Sequence, residues 1–142
     1  MPTAMLYMSF PGNAREALSF YQSVFGGELN LITFGEQVAL GVEFPFEAPA
    51  EAIVHGTLVG PIVSLSGGDD LSPHPAPFAR GSLSMVLELD TVEEVQRLIP
   101  ELTADGGRVT VPFEQAPWGD YYGQVEDRFT MLWQLAAPTN NG

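Results

Sequence analysis

Two histidines, His55 and His74, carry all of the imidazole in this chain of 142 residues, and there is no cysteine. Disulfides, thiolate metal sites and a cysteine nucleophile are therefore excluded. What remains for metal or acid/base chemistry is the two imidazoles and the carboxylates. His55 sits in Ile53-Val54-His55-Gly56-Thr57-Leu58-Val59, where strand alternation puts Ile53, His55, Thr57 and Val59 on one face. A neutral imidazole there could both donate and accept a hydrogen bond near pH 7, although a bond to a sheet neighbour or to solvent is the commoner use. His74 lies in a proline-rich stretch, the setting of an exposed residue. Glu43, Glu47, Glu51 and Asp69-Asp70 could supply carboxylates, but loop acids in so acidic a chain are ordinarily solvated. Gly67-Gly68-Asp69-Asp70 lacks the alternating ligands and closing Glu of a calcium loop. No nucleophile with an adjacent base is recognisable, and Gly26-Gly27 follows a helical segment instead of opening one, so it is no phosphate cradle.

The charge balance narrows the partners. Eighteen acidic residues stand against five arginines and no lysine, a formal net charge of −13. Nucleic-acid binding needs a clustered basic face, so nucleic acid is excluded as a partner. The acidity could attract a cationic ligand, although solubility is the blander use of net charge. No apolar run approaches the roughly 20 residues of a membrane span, and the start lacks a basic segment leading into an apolar one. The expectation is a soluble, cytoplasmic protein without membrane partners.

The elements that must position these residues come in a repeated order. A strand over Ala4 to Phe10 is broken by Gly12, and Asn13 with Glu16 reads as a capping-box-like helix start. Ala14, Ala17, Leu18, Tyr21 and Phe25 then recur at helical spacing, and Gly26-Gly27 ends the helix. Strands follow over Glu28 to Phe34, Ala52 to Val59 and Pro61 to Ser66, with Gly35 to Glu51 as a loop or short edge hairpin between the first two. The second half opens with a strand at Ser82 to Leu89. Thr91 and Glu94 form a capping box, Val92, Val95, Leu98, Ile99 and Leu102 share a helical face, and Gly106-Gly107 ends that helix. Pro100 inside the pattern kinks or shortens it. Three strands complete the half: Arg108 to Gln115, Asp120 to Glu126 and Met131 to Ala136. Gly67 to Gly81 reads as a linker. The order is strand, helix, three strands, stated twice.

Two segments carry a family resemblance. Phe10, Gly12, Asn13, Ala14, Glu16, Ala17, Leu18, Phe20 and Tyr21 match one motif, with an extra residue at Pro11. Trp118, Gly119, Gly123, Asp127, Phe129 and Trp133 match a second. Together with the paired glycines they make the chain resemble the PhnB-like branch of the vicinal oxygen chelate superfamily, which includes glyoxalase I, bleomycin resistance proteins and extradiol dioxygenases. Arg128 and Thr130 depart from that pattern. Losing the usual glycine at 130 implies a changed turn or a strained threonine there.

The resemblance implies an α+β fold: two tandem βαβββ modules at about 1–68 and 81–138 joined by a linker at 69–80, forming a U-shaped sheet cavity in a homodimer. In the metal enzymes of the superfamily the ligands are inward-pointing His or Glu side chains. Carried over position by position, they fall at Met5 or Leu6, at Ser64 or Ser66, at Ser84 and at Gln134. None is an imidazole or a carboxylate, so no metal and no cofactor are expected. The expected activity is metal-independent binding of a small molecule, partly aromatic or amphipathic, in a pocket lined by His55, Ser66, Ser84, Trp118, Tyr121 and Gln134. The alternative is a metal-dependent lyase, isomerase or dioxygenase of the glyoxalase type. Trp118, Tyr121, Tyr122 and Trp133 could sandwich a planar ligand at the cavity mouth, or serve core and dimer packing. Phe44, Phe46 and Phe78 stand as lids or as ordinary loop anchors.

Overall fold

The computed structural model describes residues 4–72 and 83–139; His74 and Phe78 lie outside them. The chain divides into two compact units, Met1–Phe78 and Ala79–Gly142. The first holds β1 (Tyr7–Phe10), α1 (Ala14–Phe25), β2 (Glu28–Thr33), α2 (Phe34–Ala39), β3 (Ile53–Val59) and β4 (Ser64–Asp69). Its sheet has the order β1-β4-β3-β2. The second holds β5 (Ser84–Glu88), α3 (Val92–Leu102), β6 (Arg108–Gln115), β7 (Tyr121–Glu126) and β8 (Leu132–Ala137), in the order β5-β8-β7-β6. In both units the first strand runs parallel to the last and the other neighbours are antiparallel. The architecture is α+β, with the βαβββ order twice and α2 added to the first unit.

The apolar stripes do what their spacing predicts. Ala14, Ala17, Leu18, Tyr21 and Phe25 of α1 are buried against β2, β3 and β4, and Val92, Val95, Leu98 and Leu102 of α3 against β7 and β8. Complete burial of a large apolar side chain contributes about 1.5–3 kcal/mol, so each sheet is pinned to its helix through one face.

Several local expectations are corrected. Asn13 makes no side-chain cap bond and its Oδ1 is buried without a partner. The amide of Ala14 donates instead to Asp69 Oδ1 at 2.9 Å, while Ile53 N donates to Asp69 Oδ2 at 2.8 Å. A carboxylate is the stronger acceptor and is favoured by the helix dipole. Gly67 and Gly68 belong to β4, where β1 lies so close that a Cβ on Gly67 would fall 2.6 Å from Met8 O. Phe34, expected to end the second strand, and residues 35–39, expected within a loop or edge hairpin, form α2, capped by Thr33, whose hydroxyl accepts from Glu36 N at 3.1 Å. It buries no side chain, so the sequence has no apolar stripe to announce it. Helix α3 ends at Leu102, before Gly106-Gly107, because Thr103 Oγ1 donates to the Ile99 carbonyl at 2.8 Å and the chain turns. A bulge at Val54 breaks the alternation of β3, so Ile53 faces the core with Gly56 and Leu58 while His55, Thr57 and Val59 face away from it.

The second motif is accounted for by close approach and by one buried acid. A Cβ on Gly123 would lie 2.6 Å from Phe113 Cα. Asp127, 2% exposed, accepts from Phe129 N at 2.8 Å and Met131 N at 3.1 Å through Oδ1, and from Trp133 Nε1 at 2.9 Å through Oδ2. That turn forces Thr130 to φ 70° and buries its hydroxyl without a partner. A β-branched residue in this region carries about 1–3 kcal/mol of strain. Thr130→Gly is therefore expected to stabilise the fold by about 1 kcal/mol, the glycine's extra unfolded-state freedom offsetting part of the relief. Urea denaturation measures it, as a higher midpoint at unchanged slope.

Candidate functional site

Each sheet turns one face to its helix and leaves the other to polar and mixed side chains. In the first unit, register brings Tyr7, Ser66 and Thr57 side by side across β1, β4 and β3. The ring of His55 stacks on Tyr7 with centroids 5.8 Å apart and planes 22° from parallel, and its Nε2 lies 3.2 Å from Thr57 Oγ1. Ser66 is 7% exposed and donates its hydroxyl to the Leu6 carbonyl at 3.2 Å, which leaves it little to offer a ligand. The Tyr7 phenol donates to the Val54 carbonyl at 3.4 Å. Burial, and secondarily the charge of Asp69, raise its pKa above the ordinary tyrosine value of 10.0.

The second unit carries a more connected arrangement. On the face away from α3, Gln134 of β8 stands opposite Gln124 of β7 and Val86 of β5. The Tyr122 hydroxyl donates to Gln134 Oε1 at 2.9 Å, and Gln134 Nε2 donates to Ser84 Oγ at 2.8 Å. Gln124 Nε2 donates in turn to the Tyr122 oxygen. Ser84, Gln134, Tyr122 and Gln124 thus form one chain of neutral hydrogen-bonding groups across three strands, all half-buried. Trp118 lies at its Tyr122 end, 70% exposed, with ring centroids 6.2 Å apart.

The structure therefore brings Ser84 and Gln134 together with Trp118 near them, and places His55 and Ser66 on the sheet of the other unit. Tyr121 points to the opposite face of β7 from Gln134, its ring 5.7 Å from Phe113; the tyrosine on the Gln134 face is Tyr122. Tyr7, Thr57 and Gln124 were not among the expected residues. Gln124 was findable, since strand alternation from Tyr122 puts it on the same face. Tyr7 needed the parallel pairing of β1 with β4.

A cleft of about 560 Å³ in the first unit collects Glu16, Glu47, Glu51, Asp69 and Asp70 with Arg15. Asp69 is already committed there to two amides, and Arg15 reaches the Glu51 carbonyl at 3.3 Å.

Comparison with known proteins agrees with the twofold βαβββ architecture. The profile of the glyoxalase/bleomycin resistance protein/dioxygenase superfamily matches residues 6–135. The chain belongs to this superfamily. It is 29% identical over 143 residues to Protein YjdN of Escherichia coli strain K12, covering 91% of this chain and 90% of that protein. The crystal structure of protein PA1353 from Pseudomonas aeruginosa superposes with a TM-score of 0.79 at 28% identity, covering 97% and 98% of the two chains. A PhnB protein from Bacillus cereus, described as a putative 3-demethylubiquinone-9 3-methyltransferase, shares the fold with a TM-score of 0.72 at 20% identity, covering 96% and 99%.

The divalent ion of the superfamily's metal enzymes does not fit the donors at the positions that the resemblance implies. The two sheets share one register: Ser66 faces Tyr7 and Thr57 as Gln134 faces Val86 and Gln124. By this register Ser66 corresponds to Gln134 and Met5 to Ser84, four of the positions to which the resemblance carries the metal ligands. They offer a thioether, two hydroxyls and an amide, and the last three are engaged with one another or with backbone. Among the described residues no group of three or more His, Cys, Asp or Glu side chains could hold a metal ion.

The Tyr7 environment has a measurable consequence. A phenol whose folded pKa is raised contributes stability below its unfolded pKa of about 10, and that stability is lost as pH rises toward the folded value. Phenolate absorbance at 295 nm should show a late-titrating tyrosine that Tyr7→Phe removes and Asp69→Asn moves to lower pH.

Proposed function

We propose that this protein binds a small molecule on the open sheet faces of its modules and does so without a divalent metal ion. The observation that carries this reading is the hydrogen-bonded set Ser84, Gln134, Tyr122 and Gln124, two of which, Ser84 and Gln134, stand with neutral side chains at ligand positions that the resemblance implies. Hydrophobic and aromatic neighbours around a few polar groups are the usual composition of a small-molecule site. Here Val86 and Trp118 supply exposed apolar surface beside the polar chain. Stacked Tyr7 and His55 supply a comparable patch on the first unit. The reading includes a homodimer, which the family resemblance supports, and a cytoplasmic location. No described helix is long and apolar enough to cross a membrane.

Elemental mass spectrometry tests the metal-independent part. Untagged protein exposed to zinc, nickel, manganese and iron(II), then dialysed, is expected to retain far less than one metal per chain. A stoichiometry near one would overturn the reading in favour of a metal-dependent lyase, isomerase or dioxygenase, with His55 the first residue to replace.

A further inference from the structure

We infer that Trp118, Tyr122 and Glu114, at the β6–β7 hairpin end of the second sheet's open face, form a site for a small organic cation, an ammonium ion carrying methyl or other alkyl groups. The inference rests on the binding reading above and names a ligand class for that face. Trp118 is held out by a braced turn. Ala116 N donates to the Asp120 carbonyl at 2.8 Å, Gly119 N to the Ala116 carbonyl at 2.9 Å, and Gln115 Nε2 to the Gly119 carbonyl at 2.9 Å. Pro117 fixes one φ inside this turn, and Gly119 takes a φ of 110° that other residues avoid. The indole is thereby presented to solvent, 70% exposed, while Trp133 is buried in the core. The Tyr122 ring makes a second wall, with centroids 6.2 Å apart and planes at 57°. Its phenol is tied to Gln134 and Gln124, which fixes the ring in place. Two rings inclined in this way form a corner, and aromatic faces attract cations.

The charge beside the corner has the matching sign. Glu114 stands opposite Tyr122 across β6 and β7 and is exposed. Side chains directly opposite in an antiparallel pair start about 5 Å apart on one face, so its carboxylate reaches a cation seated against the Tyr122 ring. It makes no ion pair among the described residues; Arg108 of the same strand is engaged with Glu126 at the far end of the hairpin. The cross-sheet row continues from Tyr122 through Ala136 to Glu88, a second exposed carboxylate. At one strand spacing per step, Glu88 lies roughly 10 Å from Tyr122 and adds attraction at a distance. The corner itself offers ring faces and few acceptors. A primary ammonium would exchange its water for them at a loss. An alkylated ammonium has few N–H groups to desolvate and buries its methyl groups against the same rings.

Choline and its neutral carbon isostere, 3,3-dimethylbutan-1-ol, differ in charge and little else. Saturation-transfer NMR titrations follow the methyl signal of each probe with the wild-type protein, Trp118→Ala and Glu114→Gln; both positions are exposed, so neither change disturbs the core. In the wild type at pH 7, choline is expected to bind about fivefold more tightly than the alcohol, the factor that an exposed cation–π contact supports. Glu114→Gln is expected to weaken choline about threefold and leave the alcohol unchanged, and Trp118→Ala to weaken both. Equal affinities in the wild type, or a choline affinity unmoved by either substitution, would overturn the inference while leaving the binding reading intact. No transfer to either probe would overturn the inference and remove this face from the binding reading. If Trp118 emission then shifted on dilution, the corner would be a contact between two copies of the chain instead of a ligand site.

Discussion

A buried carboxylate holds the end of the second sheet together. Asp127 accepts two amides from the turn that follows it and the indole N–H of Trp133 two turns of strand further on. Hydrogen bonds to an ionised acceptor contribute about 1.5–3 kcal/mol each, and an amide left buried without one costs a similar amount. Those three bonds fix where β7 stops, how tightly the chain reverses, and which residues of β8 face α3. With Trp133 and Leu135 buried on that side, Gln134 must lie on the other. The strained backbone of Thr130 is the local cost of the same turn.

The first unit uses the same device with a different geometry. Asp69, at the end of β4, takes the first helical amide of α1 and the first amide of β3, so one side chain ties together three elements distant in sequence. In both units a carboxylate that might have been read as chemistry serves architecture. The open sheet faces carry hydroxyls, amides, one imidazole and aromatic rings, with Glu114 opposite Tyr122 at the β6 side of the second, and this composition shapes what the molecule can bind. A set of neutral groups that satisfy one another is stiff and selective, and it is a poor host for a divalent ion.

Much of the fold was legible in the sequence because the apolar stripes of α1 and α3 are strong and the strands alternate. What was hidden depended on contacts distant along the chain or on register. Helix α2 buries nothing, so it lacks the period that reveals a helix. Asn13 looked like a cap, and its place was taken by an acid 56 residues on, which only the β1–β4 pairing brings near. The bulge at Val54 moved Ile53 to the face opposite His55, against simple alternation. At the site, Ser84 and Gln134 were found through family correspondence, while the choice of Tyr122 over Tyr121 turned on a single-residue register that composition does not encode. Thr130 is the opposite case: the departure from glycine was visible in sequence, and the left-handed backbone is there.

The central claim is that these four neutral side chains form one continuous hydrogen-bonded unit. The most direct measurement is the ¹⁵N–¹H NMR spectrum of the glutamine side-chain amides in the wild-type protein and in Tyr122→Phe, which removes the middle hydroxyl and keeps the ring. The account predicts that the amide signals of both Gln124 and Gln134 shift together while the backbone amides of α3 stay in place. Unmoved signals from both glutamines would contradict it.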